Sequence, residues 1–303
     1  MADALAAFVA EVGSADAGPV VGLGGGTHWQ IGGRPDPSAR AVRAPAGVVA
    51  YEPTEMTVRV GAGTTVADLD AALAPHGQCV ALPDAPGSTI GGTLAVGRSG
   101  LRRLGWGPVR DAVLELRCAS AGGDLIVCGG PTVKNVSGYD LPRLLVGSLG
   151  TVALIGEVVL RTRPAPACEQ WFAVQGANPF ALHATLARPA SILWDGTTTW
   201  VLLDGHPDDV TSEAARCGLR GGEVESPPVL PAQRWSLRPG DLASLPDDGL
   251  GPFVAEIGVG IVHRDVPQDR APLSPAVVAL HERIKVAFDP TGRLAPGRTV
   301  GQR

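Results

Sequence analysis

The chain has 303 residues, 45% of them hydrophobic, and a formal net charge of −5. That is enough apolar material for two cored domains, or for one domain with a large insertion, and the acidic balance argues against a nucleic-acid partner. Its 41 glycines and 27 prolines are spread between apolar runs, so they read as tight turns rather than disorder, and its five cysteines, an odd count without CxxC spacing, argue against a disulfide framework, a zinc site or an iron–sulfur cluster.

In chain order, residues 2–12 read as a short helix. The first eighteen residues carry Asp3, Glu11 and Asp16 and no basic residue, unlike a signal peptide. Val20 and Val21 then feed Gly22-Leu23-Gly24-Gly25-Gly26-Thr27-His28-Trp29-Gln30-Ile31-Gly32-Gly33, six glycines in twelve residues. Without side chains in the way, successive amides of such a loop can turn inward as an anion-binding nest. It is not a Walker A loop, because the only lysines are Lys134 and Lys285 and neither follows a glycine. Nor is it an NAD-type fingerprint. Thr27 stands where the third glycine belongs, and Gly32-Gly33-Arg34-Pro35 cannot begin a helix.

Strands are expected at 48–51 and 57–60, then a helix over 65–73 with Val66, Leu69 and Leu73 on one face, stopped at His76-Gly77. A second glycine-rich region, Ala85-Pro86-Gly87-Ser88-Thr89-Ile90-Gly91-Gly92-Thr93-Leu94, runs on through Gly97-Arg98-Ser99-Gly100 to Gly107-Pro108-Val109-Arg110-Asp111. Residues 113–119 and 125–128 form a hairpin around Ala121-Gly122-Gly123-Asp124, with Cys118 and Cys128 read as two small buried thiols. Lys134-Asn135-Val136-Ser137-Gly138-Tyr139-Asp140 leads through Gly147-Ser148-Leu149-Gly150 into an apolar strand at 152–160. The run 144–160 falls short of the roughly 20 uninterrupted apolar residues of a membrane span, because Gly147, Gly150 and Glu157 break it. A soluble, cytoplasmic protein is expected.

From Cys168 the order is strand 171–174, helix 179–187, strands 191–194 and 200–203, helix 207–217 and a short strand at 222–225, the βαββαβ order of a ferredoxin-like unit. Residues 226–251 are proline-rich and irregular, and 252–263 read as one strand. A helix opening at Ser274-Pro275 aligns Val277, Leu280, Ile284 and Phe288 on one face and ends at Asp289-Pro290-Thr291-Gly292.

The glycine loop, the Gly87–Gly92 cluster, Gly107-Pro108-Val109-Arg110-Asp111, the Lys134–Asp140 stretch with Gly147-Ser148-Leu149-Gly150, and the closing Lys285-Val286-Ala287-Phe288-Asp289-Pro290-Thr291-Gly292-Arg293-Leu294-Ala295-Pro296-Gly297-Arg298 occur in an order that resembles the vanillyl-alcohol-oxidase (PCMH-type) FAD-binding proteins. Within that superfamily the chain is similar to the FAD-binding E subunits of glycolate oxidase. The resemblance implies an α+β fold. A PCMH-type FAD-binding domain of two α+β subdomains would occupy 1–165, a ferredoxin-like cap 166–250, and a C-terminal segment packing back near the flavin 251–303.

It further implies that Gly24, Gly25, Gly26, Thr27 and His28 hold the pyrophosphate. Gly87, Ser88, Gly91, Gly92, Ser99 and Gly100 would pass close to the flavin, with Asn135, Gly138, Tyr139, Asp140 and Ile155 completing the pocket. Some relatives bind FAD covalently through a histidine directly after the double glycine. Thr27 holds that slot here, so non-covalent FAD is expected.

The family reaction is oxidation of a 2-hydroxy acid such as glycolate or D-lactate, with electrons passed to a partner. Related catalytic subunits carry H-A-G-D-G-N-L-H late in the chain. The matching stretch is Glu256-Ile257-Gly258-Val259-Gly260-Ile261-Val262-His263, which weakens the case for a metal and leaves His263 as the acid/base candidate. Three readings follow from the resemblance. The chain works with a catalytic FAD subunit and an iron–sulfur subunit of a glycolate oxidase-type complex, or is a stand-alone FAD-linked oxidoreductase, or is a non-catalytic assembly subunit.

Overall fold

In the computed structural model, which describes residues 2–83, 85–130, 140–269 and 271–300, the chain divides into two compact units. The first comprises 1–100, 108–164 and 272–303, and the second 101–107 and 165–271. The resemblance implies a second division at residue 251. By contact, the chain rejoins the first unit only at Pro272.

The first unit is built on a five-stranded antiparallel sheet in the order Val48–Glu52, Thr57–Gly61, Leu154–Arg161, Val113–Ala119, Leu125–Gly129. The central strands bury Val58, Val60, Leu116 and Leu160 against Leu69 and Leu73 of the helix Val66–Leu73. That helix starts where expected. The Thr65 hydroxyl accepts the Asp68 amide at 3.0 Å and satisfies one of the donors a helix start leaves free. The expected hairpin forms, with Cys118 opposite Ile126 and Cys128 opposite Leu116; both thiols are buried and free. A second, smaller core joins Leu5, Phe8 and Val12 of the helix Ala2–Val12 to Val20, Val42, Leu154 and Leu294.

Leu294 enters that core because the C-terminal segment lies along the strand Val20–Gly22. The Val20 amide donates to the Arg293 carbonyl at 2.8 Å, and the Ala295 amide to the Val20 carbonyl at 2.7 Å. On its other side the same strand pairs in parallel with Arg40–Val42. Three side chains clamp the segment. Asp289 accepts the amides of Arg293 (3.1 Å) and Leu294 (2.7 Å) and is paired with Lys285 at 2.6 Å. Lys285 also donates to the carbonyls of Thr151 and Leu294. Arg293 donates to the carbonyls of Gly18, Gly13, Ala121 and Val12.

Burial pushes the Asp289 carboxyl up, but the Lys285 ammonium and the two amides outweigh burial and hold it below the usual carboxylate value. A carboxyl with a depressed folded pKa contributes stability above its unfolded value of about 4, and loses it as pH falls through the lower folded value. Asp289→Asn has nothing to titrate. The melting-temperature gap between wild type and D289N is therefore expected to be widest above about pH 4 and to shrink as pH falls further. A gap that holds constant down to full protonation would contradict this.

Of the expected stripe on the helix Pro275–Phe288, Ile284 and Phe288 pack on the main core, whereas Val277 and Leu280 are exposed. The stripe is longer than the surface it covers. Among the described residues, no helix is long and apolar enough to cross a membrane.

The second unit is one antiparallel sheet in the order Glu223–Val224, Cys168–Gln175, Thr198–Gly205, Ser191–Trp194, Val254–Glu256, Ile261–Arg264, Gln233–Ser236. The first four strands take the ferredoxin-like arrangement, with the helices Pro179–Thr185 and Pro207–Arg216 as the crossovers. Trp194 sits edge-on between Phe180 and Phe253 in the core, and Trp200 is half-buried.

The last three strands extend the expected four. The single strand read at 252–263 is two strands, because Gly258 (φ +78°) and Gly260 (φ +82°) turn the chain back on itself. The region read as irregular supplies the third, Gln233–Ser236, and a 3₁₀ turn at Pro239–Asp247. Arg264, fully buried beside it, stacks between Trp235 and Phe253 and pairs with Asp248 at 2.6 Å.

Candidate functional site

The strand Val20–Gly22 delivers the glycine loop to the floor of a cleft of about 830 Å³, counting the space open to solvent, in the first unit. The Leu23 amide still pairs with the Val42 carbonyl. Beyond it, none of the amides of Gly24, Gly25, Gly26, Thr27 or His28 donates to a backbone carbonyl of the described residues. From Trp29 onward pairing resumes in a string of turns, with Trp29 on Gly26, Ile31 on His28 and Gly33 on Gln30. Five consecutive unspent donors beside a cleft make a nest for an anion.

The second glycine cluster packs directly behind this loop. Val66 donates to Ser88, Ile90 to Thr64 and Gly91 to Ala62, which ties 87–91 to the start of the helix Val66–Leu73. Thr89 caps the short helix Ile90–Val96, accepting the Gly92 amide at 3.2 Å. The layers are as close as backbone allows. A Cβ on Gly25 would lie 1.8 Å from the Gly87 carbonyl oxygen, and one on Gly91 would lie 2.8 Å from the Ala62 Cβ. The glycines are needed here to let three chain segments touch.

The third wall is Leu149, Gly150, Ala153, Leu154 and Ile155. Leu149 adopts φ +58°, a left-handed conformation that costs a non-glycine residue roughly 1–2 kcal/mol. It is held there by the hydrogen bond that its amide donates to the Ala95 carbonyl and by its side chain seated over Gly32. Arg298 of the C-terminal segment completes the lining.

The structure thus brings Gly24, Gly25, Gly26, Thr27, His28, Gly91, Gly92 and Ile155 together around one cleft. Gly87 and Ser88 stand behind the loop, with the Ser88 hydroxyl buried and without a partner among the described residues. Ser99 and Gly100 do not line the cleft. The Ser99 hydroxyl accepts the Val109 amide at 3.2 Å, and Gly100 packs on Pro83. Asp140 caps the helix Leu141–Leu145 and pairs with Arg143. Asn135, Gly138 and Tyr139 lie outside the described residues. Trp29, Leu149 and Arg298 join the lining in addition to the residues that the resemblance implies.

Burial, and after it the charge of Arg98, lowers the His28 pKa, so the imidazole is neutral at neutral pH; its Nδ1 lies 3.1 Å from the Thr27 hydroxyl. The positive character of the cleft therefore comes from amides and guanidinium groups. A free amide nest, a guanidinium at its edge and apolar walls of Ala153, Leu154 and Ile155 fit a dinucleotide with a diphosphate and a flat apolar ring system.

His263 lies in the second unit, on the strand Ile261–Arg264. The turn at Gly258–Gly260 sets it diagonally across from Glu256, and its Nε2 is 2.9 Å from Glu256 Oε1. Both side chains are buried.

Residues 2–129 match the family described as an FAD binding domain. The chain is 30% identical over 307 residues to the glycolate oxidase subunit GlcE of Escherichia coli K12, covering 86% of this chain and 87% of that one. It is 46% identical over 79 residues to the glycolate oxidase subunit GlcD of Bacillus subtilis 168, covering 26% of this chain and 17% of the relative. It is also 44% identical over 107 residues to a D-lactate dehydrogenase of Archaeoglobus fulgidus, covering 34% of this chain and 24% of the relative. A solved structure of alkyldihydroxyacetonephosphate synthase superposes with a TM-score of 0.69 over 96% of this chain and 73% of that chain; at 14% identity this shows a shared fold.

Because the identity to the E subunit runs along nearly the full length of both chains, and the FAD-binding pattern spans both glycine loops of the cleft, this chain belongs to the glycolate oxidase E-subunit family of FAD-dependent oxidoreductases with a PCMH-type FAD-binding domain.

Proposed function

We propose that this chain is the FAD-binding subunit of a glycolate oxidase-type complex, in which a short 2-hydroxy acid, glycolate or D-lactate, is oxidised to the 2-oxo acid. The observation that carries the reading is the run of unpaired amides at 24–28 over the floor of an open cleft, in a chain whose full-length relative is a glycolate oxidase subunit. Bound FAD would supply the hydride-accepting chemistry of the reaction. The residues of the chain do the rest. The amides of 24–28 hold the diphosphate, and Gly91, Gly92 and Ile155 leave room for the ring system. In the second unit, His263 is the acid/base candidate. With Nε2 on Glu256, the imidazole is oriented, which leaves Nδ1 to take the hydroxyl proton.

The chain has no iron–sulfur motif, so onward one-electron transfer falls to partners: a catalytic FAD subunit and an iron–sulfur subunit. The stretch Glu256–His263 favours a second reading, in which this subunit holds FAD while the hydroxy acid is oxidised by its partner: Glu256, Val259 and Ile261 stand where the related catalytic subunits carry a histidine, an aspartate and an asparagine.

Purified alone and with co-expressed partners, the chain is expected to show flavin absorbance that anaerobic glycolate or D-lactate bleaches. Bleaching of the isolated chain supports the first reading, and bleaching only in the complex supports the second. Bound flavin that neither acid reduces, even in the complex, overturns both.

A further inference from the structure

We infer that Arg298 is the counter-cation of this nucleotide site: its guanidinium is placed to bind the diphosphate of the dinucleotide from the side facing the amide nest at 24–28. The inference rests on the FAD reading for the ligand, but the argument for an anion comes from the residue itself. Arg298 lines the cleft together with residues 24–29. Its guanidinium stacks on the Trp29 ring, 4.4 Å from the centroid, and Nη2 donates to the Trp29 carbonyl at 3.0 Å. One edge is thereby fixed one residue beyond the free amides. Nε is buried and has no hydrogen-bond partner among the described residues. A buried guanidinium donor left unpaired is costly, and arginine presents a planar fork suited to two oxygens of one phosphate. Burial also pushes the Arg298 pKa down from its ordinary value, as expected for a cation with no anion beside it; the group is still charged at any physiological pH.

The placement is built rather than incidental. The Asp36 amide donates to the Pro296 carbonyl at 2.8 Å, and the Thr299 amide to the Gly32 carbonyl at 2.7 Å, so Arg298 is bracketed by backbone bonds to the far half of the glycine loop. Gly33 and Gly297 meet backbone to backbone: a Cβ on Gly33 would stand 2.9 Å from the Gly297 carbonyl oxygen. Two other cations nearby are engaged by groups of the chain itself. Arg43 is spent on the Gly24 carbonyl at 3.3 Å, and Lys285 on Asp289 and two carbonyls. A lysine-poor site thus acquires its fixed charge from the opposite end of the chain.

The test is FAD titration of the apoprotein at low and high salt for wild type, Arg298→Met and Arg298→Lys. R298M is expected to bind FAD about 10- to 100-fold more weakly, the worth of a charge-assisted hydrogen bond, and to lose most of the wild-type salt dependence. R298K should recover part of both. The apoprotein melting temperature of R298M should hold or rise, since a buried unpaired cation has been removed. Unchanged affinity, or weaker affinity with the wild-type salt dependence intact, overturns the inference. Inorganic pyrophosphate serves as an independent probe, and should raise the melting temperature of wild type and R298K but not of R298M. If wild type takes up no FAD, the FAD reading fails, and the pyrophosphate shift still decides whether Arg298 binds a diphosphate. If R298M does not fold, a pyrophosphate shift and salt-dependent FAD affinity that are equal in R298K and wild type count against a forked arginine contact.

Discussion

Gly25→Ala is expected to strip FAD from the protein, weakening its affinity by at least about 100-fold, or about 2.7 kcal/mol. The added methyl would sit 1.8 Å from the Gly87 carbonyl oxygen and 2.9 Å from its carbon. Both are backbone atoms, so no side chain can rotate away and the two glycine loops must part. Parting them breaks the registration that sets the amides of 24–28 over the cleft. Gly26→Ala is the control. Gly26 has open space around its Cβ position but takes φ +72°, so alanine there costs only roughly 1–2 kcal/mol of backbone strain without forcing the layers apart. Equilibrium titration of the apoprotein with FAD should therefore rank wild type above G26A and G26A above G25A. A G25A protein that retains flavin through purification as wild type does would show that the loop contact is not what shapes the site.

Arg293→Met is expected to lower the unfolding free energy of the first unit by about 3–5 kcal/mol, read from denaturant midpoints at unchanged slope. The loss is large because Arg293 is buried at 3% exposure and serves four carbonyls on three separate segments. Methionine fills much of the same volume but leaves those carbonyls facing each other without donors, at about 1–3 kcal/mol for each one that cannot find water. Arg293→Lys keeps the charge but not the fork. It should rescue only part of the loss, because one ammonium cannot reach acceptors as spread as Val12, Gly18 and Ala121. A loss below about 1 kcal/mol in R293M, within the range of an ordinary surface change, would mean that water replaces the guanidinium readily.

What could be read from the sequence was what is local. The glycine loop announced its chemistry through composition, and its misfits to the lysine and NAD patterns were informative because each pattern rests on a stated backbone geometry. The helix at 66–73 and the four-strand order after Cys168 were visible through period and capping. The short helix Ile90–Val96 was hidden because Gly91 and Gly92 are poor helix formers; Thr89 and the contact with Ala62 hold it against propensity. The strand at 252–263 was read through its two glycines, and their positive φ values make it a hairpin that joins the second unit. Val277 and Leu280 matched a helical stripe, but periodicity cannot say how far the covering surface extends. Arg298 was the most distant piece. Nothing near residue 298 says that it meets Trp29, 269 positions earlier.

That last separation has a kinetic consequence. The loop at 22–33 is synthesised well before residues 293–299, which supply its second face, and the whole second unit is made in between. During translation the nascent loop has no strand partner on the Leu294 side and no arginine over its amides. Closing so long a chain loop is slow compared with forming hairpins and helices locally. The second unit, whose contacts from residue 165 to 271 lie closer together in sequence, can collapse first on the ribosome. Cofactor capture then waits until residues 293–299 have emerged, and a stalled or clipped product that ends before Leu294 would carry every glycine of the cradle and still have no means of closing it.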